Sequence, residues 1–505
     1  MIASLRAHFA ERVATGWPAD RRERWGYGLF LGQTVAIFGI ALSGILLSLG
    51  LLTSWWASRG ELLSRLATRR AKLLLVPLGA YLALLGLSIA FSYDPAHSLG
   101  SWTEVIALSP LVLALVFVRG EARCRLVIDS ILAVGTLFAL YGLIETWWQG
   151  GVGLETRPRG PFSHYQTFAG VLLLCDLVVI AAMTYRPRER RWWHWFAAIT
   201  ISLALLLSLT RGAWVALIAG VLLLLVVRAP KALLWLAPLL VLVLLIAPLP
   251  VLERASSIAD LRDLSNYDRL CMVYSGLRMI EERPLLGIGP EMVEELYPIY
   301  RHPTAPFLER PHLHNAFLQI GAERGLPALA AFLSLLAASV WMALRGFRRE
   351  GGHAGPRADL WMATMLSVVS FSIAAMFEDN WNDSEVQRIL LFLLALPACL
   401  GTPARVDTIG IAGSSKTAER SEASVASVAS RTRGPSEVTP PSEVSVPVES
   451  TEATEATEAT EATEATEATE ATEETEARAA REAREARAAR APTEPPPSCE
   501  PIWAA

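Results

Sequence analysis

Apolar blocks of about 15 to 30 residues recur along the first four hundred positions, and nothing constrains this chain more. A membrane helix needs about 20 mostly apolar residues. Blocks of that kind run at 73–91, 104–118, 126–147, 166–184, 195–209, 213–227, 232–249, 326–344, 360–377 and 386–400. A first block, 27–56, is long enough to fold as two. Charged residues make up 19% of the chain, below the roughly 25% usual for soluble proteins. A single soluble domain, a fibrous chain and a secreted disulfide scaffold are excluded. The five cysteines, Cys124, Cys175, Cys271, Cys399 and Cys499, are scattered and show neither zinc-ligand nor redox spacing.

The segments between blocks alternate in character. Basic clusters fall at 21–24, 59–72, 119–125, 186–191, 228–231 and 345–357. Lys and Arg resist translocation, so these clusters are expected on the cytoplasmic side. The connections 92–103, 148–165, 210–212, 251–312 and 378–385 are then outside. Both flanks of 27–56 fall inside, so that block should be a hairpin or a re-entrant pair. The expected architecture is an all-α, polytopic membrane protein of about 12 transmembrane helices, multi-pass in a bacterial cytoplasmic (inner) membrane. Its expected parts are a cytoplasmic leader at 1–26, N-terminal transmembrane helices at 27–250, and a large helical periplasmic loop at 251–312. C-terminal transmembrane helices at 313–401 and a low-complexity, disordered cytoplasmic tail at 402–505 complete it, with both termini inside.

Charge separates the tail from the body. The tail carries 10 basic and 20 acidic residues, which leaves 35 and 29 for the first 401 positions. The formal net charge of −4 therefore combines a basic membrane body with an acidic appendage. Seven Thr-Glu-Ala triplets occupy 451–471. A three-residue period drifts around a helix of 3.6 residues per turn and forms no apolar stripe. Within the 251–312 loop, by contrast, Leu270, Val273, Tyr274, Leu277 and Ile280 have helical spacing, and Pro284 ends the segment. A turn at 285–290 and a second short helix at 291–300 should follow.

Ionisable residues at the outer ends of spans are costly and are functional candidates. Arg211 lies in Ser208-Leu209-Thr210-Arg211-Gly212-Ala213-Trp214, between two apolar blocks. Its planar, permanently charged fork suits a diphosphate, although a snorkelling interface anchor would look the same. Arg269 begins the loop helix, and an ion pair with Asp268 is its plainer reading. His312 and His314 stand where the loop re-enters the membrane, and histidine is a natural general base or a helix cap. No carboxylate or cysteine lies near them at metal-ligand spacing, so no metal is expected. Glu378 and Asp379 sit in the last outer turn, and Arg157, Arg159 and His164 sit in the 148–165 connection. The two carboxylates serve either as partners for a His or Arg or as a solvated turn. Arg157, Arg159 and His164 are either lipid-phosphate contacts or an interface fringe.

Taken together these segments resemble the O-antigen ligase / O-antigen polymerase superfamily. The resemblance rests on His314-Asn315 with Gly325 ten positions on, Glu323-Arg324-Gly325-Leu326-Pro327, the Arg211 segment, the Arg269 helix running into Arg283-Pro284-Leu285-Leu286-Gly287-Ile288-Gly289, and Arg157-Pro158-Arg159-Gly160-Pro161-Phe162-Ser163-His164. It implies a glycosyltransferase of lipopolysaccharide biosynthesis, with its active site facing the periplasm and no metal or other cofactor. The implied donor is a glycan on undecaprenyl diphosphate. The implied acceptor is lipid A-core or another glycan, with membrane lipids as further partners and no nucleic acid. On the same basis His314 would be the catalytic base, with Arg211 and Arg269 as diphosphate-binding residues. Arg157, Arg159, His164, His312, Asn315, Glu378 and Asp379 would complete substrate binding. A polymerase extending lipid-linked repeats is the alternative within the class; a transporter or flippase is the alternative outside it.

Overall fold

A computed structural model describes residues 2–186, 192–258, 260 and 262–401. The tail expected at 402–505 and part of the basic cluster at 186–191 lie outside the described residues. The described residues are helical, with no strand among them. In chain order the helices are α1 (Ile2–Gly16), α2 (Arg21–Val35), α3 (Ile40–Ala57), α4 (Leu62–Leu66), α5 (Arg69–Ala90), α6 (Pro95–Ser98), α7 (Glu104–Ala107), α8 (Ser109–Phe117), α9 (Glu121–Trp148) and α10 (Tyr165–Tyr185). There follow α11 (Trp192–Leu207), α12 (Arg211–Arg228), α13 (Leu233–Ile246), α14 (Leu249–Ser256), α15 (Leu264–Glu282), α16 (Met292–Tyr300), α17 (Ala316–Arg349), α18 (Ala358–Ala374) and α19 (Ser384–Leu400).

Seven helical stretches are long and apolar enough to cross a membrane: α3, α5, the α6–α8 run, α9, α10, α12 and α17. Three shorter apolar helices, Trp192–Leu207, Pro230–Val243 and Ala358–Ala374, accompany them. The block at 27–56 does divide in two, with a turn at 36–39 between α2 and α3. The first 26 residues include a helix packed on the bundle. Helix α1 lies against α9, where His8 and Arg12 both meet the Asp129 carboxylate at 3.0 and 2.8 Å.

Helix α19 is only 17 residues long, yet every residue from Glu385 to Leu400 is buried. A helix apolar on all sides belongs inside a bundle, and α19 packs against α8, α17 and α18. Near its start the indole of Trp381 is fully buried, donates to the Tyr81 hydroxyl at 3.1 Å and lies tilted against Phe332 at 4.5 Å between ring centroids.

Four of the basic clusters meet at one end of the bundle. Arg65 and Arg123 share the Glu23 carboxylate, and Arg125 holds Asp359 at 2.7 Å. The candidate residues gather at the other end, where the 251–312 loop folds over the helices.

Within positions 251–312 lie the end of α14 and the whole of α15 and α16. The turn after Pro284 is built into α17. Ile288 and Gly289 donate their amides to the Ala322 and Glu323 carbonyls at 2.9 and 3.0 Å. Those acceptors are free because α17 breaks at Gly325, whose φ of 81° and ψ of 166° are not helical. Leu326 then donates to the Pro284 carbonyl at 2.8 Å. A Cβ on Gly325 would collide with the Leu285 backbone, and Gly287 (φ 71°) is similarly pressed against Glu323. The two glycine-bearing segments are therefore halves of one joint.

Candidate active site

His314 is set by its neighbours before its chemistry begins. Asn315 caps α17 by accepting the Leu318 amide at 3.0 Å, and its Nδ2 donates to the Met376 carbonyl. Ala316 donates to the Ala375 carbonyl at 2.8 Å, which pins this entry to the end of α18. His314 itself has φ 48°, a left-handed backbone rare for a non-glycine residue.

The imidazole Nδ1 lies 2.9 and 3.0 Å from the two Glu378 carboxylate oxygens. Burial would raise the Glu378 pKa. The hydrogen bond and charge of His314, with His312 and Arg269 nearby, reverse this and hold it below the ordinary value. An ionised carboxylate only accepts, so Nδ1 carries a proton, and in the neutral form of the imidazole the lone pair is on Nε2. This is the arrangement in which a carboxylate fixes the tautomer of a basic imidazole. His312 packs edge-on at 4.2 Å between ring centroids. Burial, with His314 beside it, pushes the His312 pKa down to about 4, so it is neutral near pH 7.

Beside the Glu378 turn is a cavity of about 240 Å³ lined by four arginines: Arg157, Arg211, Arg254 and Arg269. Arg211 is buried, and its guanidinium turns into the loop: it donates to the Ser257 carbonyl and hydroxyl at 2.8 Å and to Asp263 at 3.0 Å. The lipid-interface anchor reading is thereby set aside. Asp263 also caps α15 through the Asn266 amide and lies 3.5 Å from Arg254. Arg269 does not pair with Asp268, whose carboxylate goes to Arg310. It donates instead to the Phe377 carbonyl at 3.2 Å and the Ser265 hydroxyl at 2.9 Å. Arg157 lies 4.4 Å over the Tyr165 ring, and its buried Nε has no hydrogen-bond partner.

Four guanidinium groups around so small a space repel one another. Burial, then the charges of Arg211 and Arg157, push the Arg254 pKa down to about 10. Burial likewise lowers that of Arg269, where Glu378 opposes the effect and Arg211 adds to it. Such a cavity favours an anion with several acceptor oxygens. Leu209, fully buried, lines it with φ 54°, a second positive-φ backbone, two residues before Arg211.

Other candidates divide. His164 caps α10 by accepting the Gln166 amide, and burial lowers its pKa. Arg159 is 61% exposed, pairs with Glu145 at 3.4 Å and does not line the cavity. Asp379 lines a different cavity from its neighbour Glu378. Arg254 was not among the residues singled out from the sequence. Its signal was an arginine at the end of a short helix opened by Pro248-Leu249-Pro250.

The structure also supplies the carboxylate that local spacing lacked. Ligand atoms of His312, His314 and Glu378 all lie within 4.8 Å of one another, a set able to hold a divalent metal ion.

Residues 196–333 match the family model described as O-antigen ligase, which supports the O-antigen ligase/polymerase superfamily. The matched stretch contains Arg211, Arg254, Arg269 and His314 and excludes Arg157, Glu378 and Asp379. No curated protein matches the chain.

Proposed function

We propose that this chain, a member of the O-antigen ligase/polymerase superfamily by its residues 196–333, transfers a glycan from a polyprenyl diphosphate, of the undecaprenyl type, to a sugar hydroxyl. The observation that carries the reading is a carboxylate-oriented imidazole, His314 with Glu378 at 2.9 Å, beside a cavity walled by four arginines. The acceptor oxygen attacks C1 of the donor sugar and its proton passes to His314 Nε2. As the new C1–O bond forms, the C1–O bond to phosphate breaks and its electron pair leaves with the diphosphate. Arg157, Arg211, Arg254 and Arg269 stabilise the charge that gathers there. One displacement of this kind inverts the anomeric centre. The apolar helices around the cavity suit a donor whose chain lies in lipid while its head reaches the loop end, facing the periplasm.

Ligase and polymerase share these steps and differ in the acceptor. Within the arrangement, the mixed fold of loop and helix ends favours an enzyme over a transporter, whose sites usually lie at the bilayer midplane.

The test is product formation from a polyprenyl-diphosphate glycan and an acceptor by the purified full chain. Loss of product in His314→Ala, with activity of the parent unaffected by EDTA, is the expected result. Activity that survives His314→Ala would overturn the base assignment. Loss of parent activity in EDTA, restored by a divalent metal, would favour a metal at His312, His314 and Glu378 instead.

A further inference from the structure

The basic end of the bundle, opposite the candidate active site, holds two groups of cations. Arg65, Arg123, Arg125 and Arg357 are taken up by Glu23, Asp359 and Glu350. The other group is left over. Arg69, Arg70 and Lys72 stand in the first turn of α5, and Arg345, Arg348 and Arg349 stand in the last two turns of α17. All six are exposed, and none makes an ion pair among the described residues. The charge of Glu350 reaches Arg70, but that carboxylate already accepts from Arg357 and from the Trp361 indole.

This placement is costly without an anion. The N-terminus of a helix is the positive end of its dipole, so the three cations of α5 are repelled by their own helix as well as by those of α17. They also converge on one seam, where α5 packs against α17. A cavity of about 120 Å³ in the seam is lined by Arg69, Arg70, Arg345 and Arg349, with Arg345 5.1 Å over the Trp341 ring. Arg69 and Leu73 also line an adjoining groove of about 750 Å³. Beyond Lys72 that groove turns apolar. Leu73, Val76, Pro77 and Ala80 of α5 recur at helical spacing along it, opposite Ala331 and Ser334 of α17. Val76 is 68% exposed. Among the described residues no carboxylate lines either space.

A seam that is cationic at the end of a span and apolar toward its middle matches one molecule, anionic at its head and aliphatic beyond. Free phosphate would leave the groove unfilled, and an acidic peptide would bring unpaired backbone into it. We propose that the α5–α17 seam binds one anionic phospholipid, with its phosphate among Arg69, Arg70, Arg345 and Arg349 and an acyl chain along Val76, Ala80 and Ala331. Guanidinium groups donate in pairs to phosphate oxygens, and basic pockets between membrane helices suit such head groups. This site is separate from the cavity beside His314 and does not depend on the glycosyl-transfer reading.

The experiment is native mass spectrometry of the purified full chain with phosphatidylglycerol or phosphatidylcholine of the same acyl chains. Circular dichroism checks the fold of each variant. The expected result is one phosphatidylglycerol held about tenfold more tightly than phosphatidylcholine. Arg345→Gln/Arg349→Gln should lower that affinity about tenfold. Arg228→Gln/Lys231→Gln, an equal loss of charge after α12, should leave it unchanged. Ser334→Phe fills the groove without changing charge and should also weaken retention. Equal retention of the two lipids, or equal losses in the two double variants, overturns the site. Full retention in Ser334→Phe, or displacement by millimolar glycerol 3-phosphate, which has no acyl chain, overturns the lipid assignment. A second copy of the chain held in place of lipid overturns it as well.

Discussion

The carbonyl of Phe377 accepts Arg269 Nε at 3.2 Å, and the very next residue, Glu378, accepts His314 Nδ1. A single turn after α18 thus holds both an arginine of the four-arginine cavity and the imidazole of the proposed base. Glu378→Gln keeps the shape but removes the acceptor-only character that fixes Nδ1–H. Turnover should fall by about 10²–10⁴ while the donor still binds. Steady-state kinetics with a donor-binding assay separate the two, and unchanged turnover would remove Glu378 from the mechanism.

Arg254→Gln should weaken donor binding by about ten- to a hundredfold, the worth of a hydrogen bond between charged groups. The loss should appear in the donor KM or dissociation constant, with the acceptor KM unchanged. The reverse pattern would place Arg254 outside the donor site.

Gly325→Ala inserts a Cβ against the Leu285 backbone at a conformation reserved for glycine. A destabilisation of roughly 2–4 kcal/mol is expected from strain and overpacking together. Thermal unfolding in detergent reads it directly. A melting temperature equal to the parent's would mean that the joint between the 284–289 turn and α17 carries no stability.

Asp379 gives a pH-dependent expectation. Burial, partly opposed by Arg324, raises its pKa to about 7, whereas an unfolded aspartate titrates near 3.9. Between those values the folded chain holds a proton that the unfolded chain has lost. Stability tied to that proton is present below about pH 4 and is lost as pH rises through about 7. Asp379→Asn removes this dependence, so it should raise the melting temperature more at pH 8 than at pH 5. An equal shift at both pH values would contradict the burial effect.

Added Zn²⁺ should inhibit by binding His312, His314 and Glu378 and withdrawing the base, and EDTA should reverse the inhibition. Insensitivity of His312→Ala to Zn²⁺ would localise the effect; equal sensitivity would place the metal elsewhere.

What could be read along the chain was whatever is local. The amphipathic run at 270–280 became α15, the turn at 285–290 formed, and His314, Arg211 and Arg269 stand in motifs whose parts are neighbours in sequence. The partners were not readable, because the fold brings them from afar. Glu378 reaches His314 across 64 positions, and Glu104 reaches Arg324 across 220. Asn315, a binding candidate by resemblance, also caps α17. Arg388 lies inside a stretch whose apolar neighbours hid it, although a charge near the start of a span was the available signal.

The alternation of Glu378, Asp379 and Asn380 across one thickness of chain has a genetic consequence. A substitution that shifts this turn alters the lining of both cavities at once. Single-site scans should therefore return losses here that look uninformative about either. Second-site suppressors of Asp379 variants are expected among arginine-cavity residues as readily as beside Asp379 itself.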